Sequence, residues 1–172
     1  VGTLGTPLAL EMIPLPIAAG EWSVLESRLI QRALLLEKIL SDVYGPQQLI
    51  TDGMLPAALV FANPRFLHPC HGFAPAGNRR LAFYAADLYR GVDGRFRVLR
   101  DYGGSPEGLG YALENRIVIS RVFSDLYHQS QIQRLALFFQ KFHNNMTRQA
   151  SVRREDPGGV LLSPGPDSRI YF

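Results

Sequence analysis

The chain lacks the features that mark several classes of protein. Its single cysteine, Cys70, excludes an internal disulfide framework. It has no run of about 20 apolar residues, so we expect no transmembrane helix, and no secretory pattern opens it. We therefore expect a cytoplasmic protein that does not bind membranes. The net charge of +3 is too small, and the arginines are too scattered, to indicate nucleic-acid binding.

The composition is that of a globular protein. Of its residues, 47% are apolar and 19% are charged, as in globular proteins. A length of 172 residues is enough for one domain with a core. The pattern predicts an N-terminal helical region over 1–76, a hairpin, loop and helices over 77–150, and a linker with a first strand over 151–172. Helices are predicted at about 20–43, 46–50, 56–61, 109–126 and 132–146, with a short strand at 160–162 that leads into a further helix. The fold class is therefore α+β.

A hairpin is predicted around Asp93-Gly94. Residues 81–89 alternate as a strand does, and glycine tolerates the positive φ of a tight turn. If Asp93 and Gly94 are the two loop residues, Val92 pairs with Arg95, and the second strand runs to about residue 101. A longer turn would shift this register.

This register places functional side chains on one face of the hairpin. Asp87 lies across from Arg100, with their Cβ atoms about 5 Å apart. Tyr102 shares that face, and Asp101 points to the other. An acidic hairpin of this kind can hold a metal ion beside a nucleotide.

A short segment around Cys70 also carries chemistry-bearing side chains. His68 and His71 flank the thiol, which invites a metal or nucleophile interpretation. The spacing fits zinc motifs poorly. We favour the interpretation that Cys70 is a small residue of a loop or of the core.

Several long segments resemble the circularly permuted ATP-grasp proteins of bacteria. The similarity covers nearly the whole chain and runs in the family's order through residues 15–67, AADLYRGVDGRFRVLRD, SPEGLGYALENR and VLLSPGPDSRIYF. The resemblance implies an ATP-dependent ligase that activates a carboxylate as an acyl phosphate for attack by an amine. It implies ATP and magnesium as cofactors, and a small-molecule or peptide substrate.

The resemblance also implies that this chain is part of a longer protein. The ATP-binding elements of the family lie largely downstream, so the remainder of its own chain is the expected partner. We expect no catalysis by this part alone, and whether it binds ATP or magnesium is left open.

The chain departs from the metal motif that the resemblance implies. The family's Asp falls on Asp87, whereas its Glu and Asn positions hold Arg100 and Tyr102. Asp87 and Asp101 are thus the candidate magnesium ligands. Arginine cannot ligate a metal. Three interpretations stay open: an Asp87–Arg100 ion pair, a direct contact between Arg100 and a phosphate, and a surviving site re-aimed by a β-bulge.

The Gly-rich loop before the next helix supplies further candidates for substrate or nucleotide binding. Gly108 precedes a helix N-terminus, which attracts anions. Tyr111, Asn115 and Arg116 follow on or near one face, and Arg116 could clamp a carboxylate or phosphate. A purely structural role for Asn115 and Arg116 is the alternative. No catalytic residue is assigned.

Two functions from different classes follow. One is part of an ATP-grasp ligase with a degraded magnesium site. The other is a non-catalytic scaffold or binding module that keeps the fold. The overall resemblance favours the first, and Arg100 and Tyr102 favour the second.

Overall fold

The structure is a computed structural model that describes residues 15–104, 108–150, 157–159 and 165. Helices and a two-stranded antiparallel sheet occur together in this part of the chain, which confirms the α+β class. The predicted strand at 160–162 and nearly all of the predicted turn and helix after it lie outside the described residues. The elements are α1 (Ala19–Val43), α2 (Gln48–Thr51), α3 (Ala57–Phe61), β1 (Ala85–Arg90), β2 (Phe96–Tyr102), α4 (Leu109–Val122), α5 (Ser124–Gln129) and α6 (Ala136–Gln149).

The described residues fall into two compact units. The first comprises 15–104 and the second contains the described residues from 108 onward. The hairpin thus groups with the N-terminal helices, and the predicted boundaries near 76 and 150 stay predictions. Across the described part of the chain, no helix combines the length and apolarity needed to cross a lipid bilayer.

Helix α1 has a sharp end. Its 25 residues begin near the predicted Gly20, with Glu21 in the first turn, where a carboxylate favours the helix dipole. It ends at Val43, as predicted. A Cβ on Gly45 would lie 2.6 Å from the Ser41 carbonyl oxygen, so the close turn after the helix requires glycine.

Helix α2 is held by a carboxylate from the end of α1. The two oxygens of Asp42 accept the backbone N–H groups of Gln48 at 2.9 Å and Leu49 at 3.0 Å. These first N–H groups of a helix have no partner inside it. Asp42 therefore stabilises a helix of only four residues.

The hairpin turn is one residue longer than predicted. Arg90 pairs with Phe96, and the N–H of Gly91 donates to the Arg95 carbonyl at 2.9 Å, which leaves residues 92–94 in the loop. Gly94 takes the predicted positive φ of 75°. The Asp93 carboxylate accepts the Arg95 N–H at 3.2 Å and pairs with Arg97, and these bonds stabilise the longer turn.

A β-bulge compensates for the longer turn. Leu88 pairs with Val98, but the next residue, Asp87, pairs with Arg100. Leu99 is thus the extra residue of the bulge. The predicted pairing of Asp87 with Arg100 is confirmed, although it arises from two deviations that cancel.

Polar contacts join α1 to the hairpin. Glu21 forms an ion pair with Arg90, and Arg32, about three helical turns later, forms one with Asp101. Because Asp101 pairs with Ala86, α1 runs opposite in direction to β1.

The buried apolar core of the described residues is small. Only Leu25, Val43 and Val60 are buried among the apolar side chains that the structure describes. The contribution of fully buried apolar side chains to the stability of the first unit is therefore small.

The second unit differs from its predicted helix limits. Gly108 precedes α4 with a φ of 93°, a conformation suited to glycine. The helix predicted to reach residue 126 is interrupted at Phe123 (φ −117°, ψ 50°), and α5 begins at the next residue. Helix α6 starts at Ala136, four residues after the predicted 132.

Candidate functional site

Asp87 lies on an exposed face of the hairpin and accepts a hydrogen bond from a tyrosine. The Tyr102 hydroxyl donates to its Oδ2 at 2.7 Å. The Arg100 guanidinium carbon lies 5.9 Å from the centre of the Tyr102 ring. Asp87, Tyr102 and Arg100 are therefore neighbours on one face, as predicted from the register.

The ion pair between Asp87 and Arg100, one of the three interpretations of this face, is not formed. The two residues lie opposite each other on neighbouring strands. The Asp87 carboxylate nevertheless accepts its hydrogen bond from the Tyr102 hydroxyl, and the Arg100 guanidinium lies over the Tyr102 ring. The ion pairs of the described residues are Arg32–Asp101, Arg90–Glu21 and Arg97–Asp93.

Asp101 points to the opposite face, toward α1. Its two oxygens accept hydrogen bonds from Nε and Nη2 of Arg32, each at 2.6 Å. The oxygen Oδ1 also accepts a hydrogen bond from the Tyr84 hydroxyl at 2.7 Å. This fork geometry is the strongest way for arginine to bind a carboxylate. Asp101 therefore anchors the second strand to the long helix.

The three groups shift one another's protonation. The Arg32 guanidinium holds the pKa of Asp101 below its ordinary value, against an opposing effect of burial, and the Tyr84 hydroxyl adds to the lowering. The hydrogen bond to Asp101 raises the pKa of Arg32 in turn. Burial, followed by the hydrogen bond to Asp101, raises the pKa of Tyr84 to about 12. The carboxylate is thus ionised and the phenol protonated at neutral pH.

We expect Tyr84 to ionise at an unusually high pH. Its contribution to folding is complete below the ordinary tyrosine pKa of 10.0 and is lost as the pH rises through about 12, because the folded state disfavours the phenolate. The measurement is the ultraviolet absorbance of phenolate in wild type minus that in Tyr84→Phe. Asp101→Asn removes the negative charge and should move this midpoint back toward 10.0. A midpoint near 10.0 in the wild-type minus Tyr84→Phe absorbance curve would contradict the hydrogen bond between Tyr84 and Asp101.

These side chains do not fit a magnesium ion. One Asp87 oxygen is occupied by Tyr102, and a permanent cation, Arg100, stands opposite. Both Asp101 oxygens are bound by Arg32. Within the described ranges, no group of three or more His, Cys, Asp or Glu side chains is placed to hold a metal. Magnesium needs several oxygen ligands in near-octahedral geometry, and this face does not present them.

The remaining candidates lie just before α4 and in its first eight residues, in the second unit. Gly108 forms the turn before the helix, and Tyr111 follows in its first turn. Asn115 and Arg116 lie one turn further on and are half-buried. Their predicted role in binding substrate or nucleotide stays a prediction.

An aromatic cluster surrounds the segment that contains Cys70. Phe66 stacks on Tyr44 with ring centres 4.9 Å apart and meets His68 edge-on at 4.8 Å. His71 Nε2 lies 3.0 Å from the Gly45 carbonyl oxygen. An open pocket of about 330 Å³ lies beside the cluster, lined by Gln47, Phe61, Phe66, His68 and His71. Cys70 is half-buried in a 3₁₀ turn, in keeping with a small loop residue.

Sequence reasoning missed the partners of Asp101. Arg32 lies 69 residues away on a helix whose period reports only its apolar face. The one available signal is the spacing from Glu21, which places two charged side chains about three turns apart on one side of α1. Tyr84 falls within the alternating residues 81–89, and alternation alone does not identify hydrogen-bond partners.

Comparison with known proteins identifies the family. The family model for circularly permuted ATP-grasp type 2 matches residues 14–172. The chain is 37% identical over 166 residues to an uncharacterised protein of Mycobacterium tuberculosis, with 96% of this chain and 19% of that protein covered. An uncharacterised Mycobacterium leprae protein is 34% identical, with 96% and 30% covered. An uncharacterised protein of Synechocystis is 34% identical, with 94% and 34% covered.

The chain thus spans about a third or less of the length of these relatives. Together with the mixed helix and strand content, the match over nearly the whole chain confirms the resemblance drawn from the hairpin and its neighbouring segments. The chain belongs to the circularly permuted ATP-grasp type 2 family.

Proposed function

We propose that this chain is part of an ATP-dependent carboxylate–amine ligase. The observation that carries the proposal is the family match over residues 14–172. ATP-grasp ligases transfer a phosphoryl group from ATP to a carboxylate, and an amine then displaces phosphate from the acyl phosphate. In the complete protein, the substrate would be a small molecule or a peptide, and this chain would act with the remainder of its own polypeptide.

The start of α4 is the better candidate for ligand binding. Arg116 offers a bidentate fork for a carboxylate or a phosphate, and Asn115, the residue before it on the helix, offers an amide. Gly108 precedes the helix N-terminus, where backbone N–H groups favour an anion. The hairpin contributes a degraded magnesium site, because the contacts of Asp87 and Asp101 leave little room for a metal ion. We therefore route no catalytic step through a metal at this hairpin.

A non-catalytic binding module is the second candidate. It is favoured by a specific observation: the side chains at positions 100 and 102 place a cation and a phenol beside Asp87. A protein that keeps the fold without phosphoryl transfer could tolerate this arrangement. It would bind its ligand without consuming ATP.

Measuring ADP release by the complete protein distinguishes the ligase from the binding module. A ligase should release ADP from magnesium–ATP only when a suitable acid and a suitable amine are both present. Arg116→Gln should lower that rate by about tenfold, the size expected for one lost charge-assisted hydrogen bond. Arg121→Gln, at an exposed position of the same helix, is the matched control and should leave the rate unchanged. ATP binding without ADP release, over a broad panel of acids and amines, would favour the binding module.

A further inference from the structure

We propose that the Asp87 face of the hairpin is a divalent-cation site blocked by two side chains, Arg100 and Tyr102. The backbone at this face can bring three oxygen ligands together, and only the residue types at positions 100 and 102 prevent it. The inference deepens the degraded site of the proposed function. It concerns binding by this chain, so it does not depend on whether the complete protein turns over ATP.

The backbone argument rests on the bulge at Leu99. With a three-residue loop and no bulge, Asp87 would lie across from Leu99, and Arg100 and Tyr102 would point to the opposite face. The bulge instead sets Asp87 across from Arg100. Side chains at positions 100 and 102 therefore project on the same side as Asp87.

The reach of position 102 is shown directly by Tyr102. Its hydroxyl is 2.7 Å from Asp87 Oδ2, which is hydrogen-bond distance. Position 100 is directly opposite Asp87, where Cβ atoms lie about 5 Å apart. Side chains at both positions thus project toward the Asp87 carboxylate, so we infer that shorter oxygen-bearing side chains there would border the same space, and magnesium and manganese both accept such ligands.

Two effects exclude a cation from the native face. Arg100 places a fixed positive charge beside the position that the ion would occupy, and that charge repels a divalent cation. The Tyr102 hydroxyl takes up one lone pair of an Asp87 oxygen, and it occupies space beside the carboxylate that an ion and its other ligands would need. Asp101 gives no help, since Arg32 and Tyr84 hold it on the other face.

Manganese binding by the purified chain tests the proposal. In Arg100→Glu/Tyr102→Asn, Mn²⁺ should broaden the amide resonances of Asp87 and its strand neighbours. Its affinity measured by calorimetry should exceed the wild-type value by at least about tenfold, since removing a nearby positive charge and adding a negative one is worth more than that near a protein surface. Wild type should show no broadening localised at Asp87.

The matched control carries one further change. Asp87→Asn in the same double variant removes the original carboxylate, so localised broadening should be lost while the new Glu remains. Broadening centred on Asp87 in wild type would overturn the proposal. So would a folded double variant, verified by circular dichroism, that binds Mn²⁺ no better than wild type.

A single variant covers the case in which the double variant fails to fold. Arg100→Glu keeps Tyr102 and its bond to Asp87, and changes an exposed side chain. It should still bind Mn²⁺ more tightly than wild type at Asp87, because the repelling charge has become an oxygen ligand. Unchanged Mn²⁺ binding in this folded variant would also overturn the proposal.

Discussion

Leu25→Ala is expected to lower the free energy of unfolding by about 3 kcal/mol, the usual cost of deleting a buried leucine side chain. Leu25 is 7% exposed and is one of the few buried apolar residues of the described chain. With so small a core, the loss removes a large fraction of the apolar stabilisation of the first unit. Urea denaturation followed by circular dichroism measures the change.

Leu34→Ala is the matched control on the same helix. Leu34 is 56% exposed, so its truncation creates no cavity and should change the free energy of unfolding by at most about 0.5 kcal/mol. Both variants introduce alanine into α1 and share any gain in helix propensity. If the two variants lost equal amounts of unfolding free energy, the assignment of Leu25 to the buried core would be wrong.

Glu37→Ala is expected to cost about 2 kcal/mol, in the range for a lost charge-assisted hydrogen-bond acceptor. The Glu37 carboxylate accepts the backbone N–H groups of Arg80 at 3.0 Å and Leu81 at 2.6 Å, and the Ser41 hydroxyl at 3.1 Å. It thereby fixes the chain as it enters the hairpin. Without it, two half-buried backbone donors lose their partner.

The cost of Glu37→Ala should depend on pH. Burial alone would raise the pKa of Glu37, but the hydrogen bonds from Arg80, Leu81 and Ser41 outweigh it and lower the pKa below 4.5. Its stabilisation is therefore complete above the unfolded-state pKa and is lost as the pH falls through the lower folded-state value. Urea titrations should show the difference between wild type and Glu37→Ala narrowing as the pH is taken from about 6 to about 3.

Glu26→Ala supplies the control for both effects. Glu26 is exposed on the same helix, so its variant should differ little from wild type across this pH range. A difference between wild type and Glu37→Ala that stays constant down to acid pH would contradict a role for the ionised carboxylate.

The elements of the fold were predictable where local chemistry dictates them. The apolar period and Gly45 set the limits of α1, and Gly94 set the position of the turn. The loop length was not predictable, because Asp93 stabilises a three-residue loop through bonds to Arg95 and Arg97 that the dipeptide signal does not encode. The interruption of the predicted helix at Phe123 was not predictable either, because no proline or glycine lies at that position.

The pairing at the candidate site agrees with the prediction, whereas its contacts were not predictable. Asp87 lies across from Arg100 because the longer loop and the bulge at Leu99 offset each other, and neither follows from alternation and a turn signal. The choice of Tyr102 over Arg100 as the partner of Asp87 depends on side-chain rotamers. The engagement of Asp101 depends on the docking of α1, which brings Arg32 across 69 residues of sequence.

The scarcity of buried apolar side chains among the described residues has a thermodynamic consequence. The heat-capacity change of unfolding grows with the apolar surface that unfolding exposes. A unit with three buried apolar residues and many polar contacts should therefore have a small heat-capacity change. Its stability would vary only gently with temperature, with a broad melting transition and little tendency toward cold denaturation.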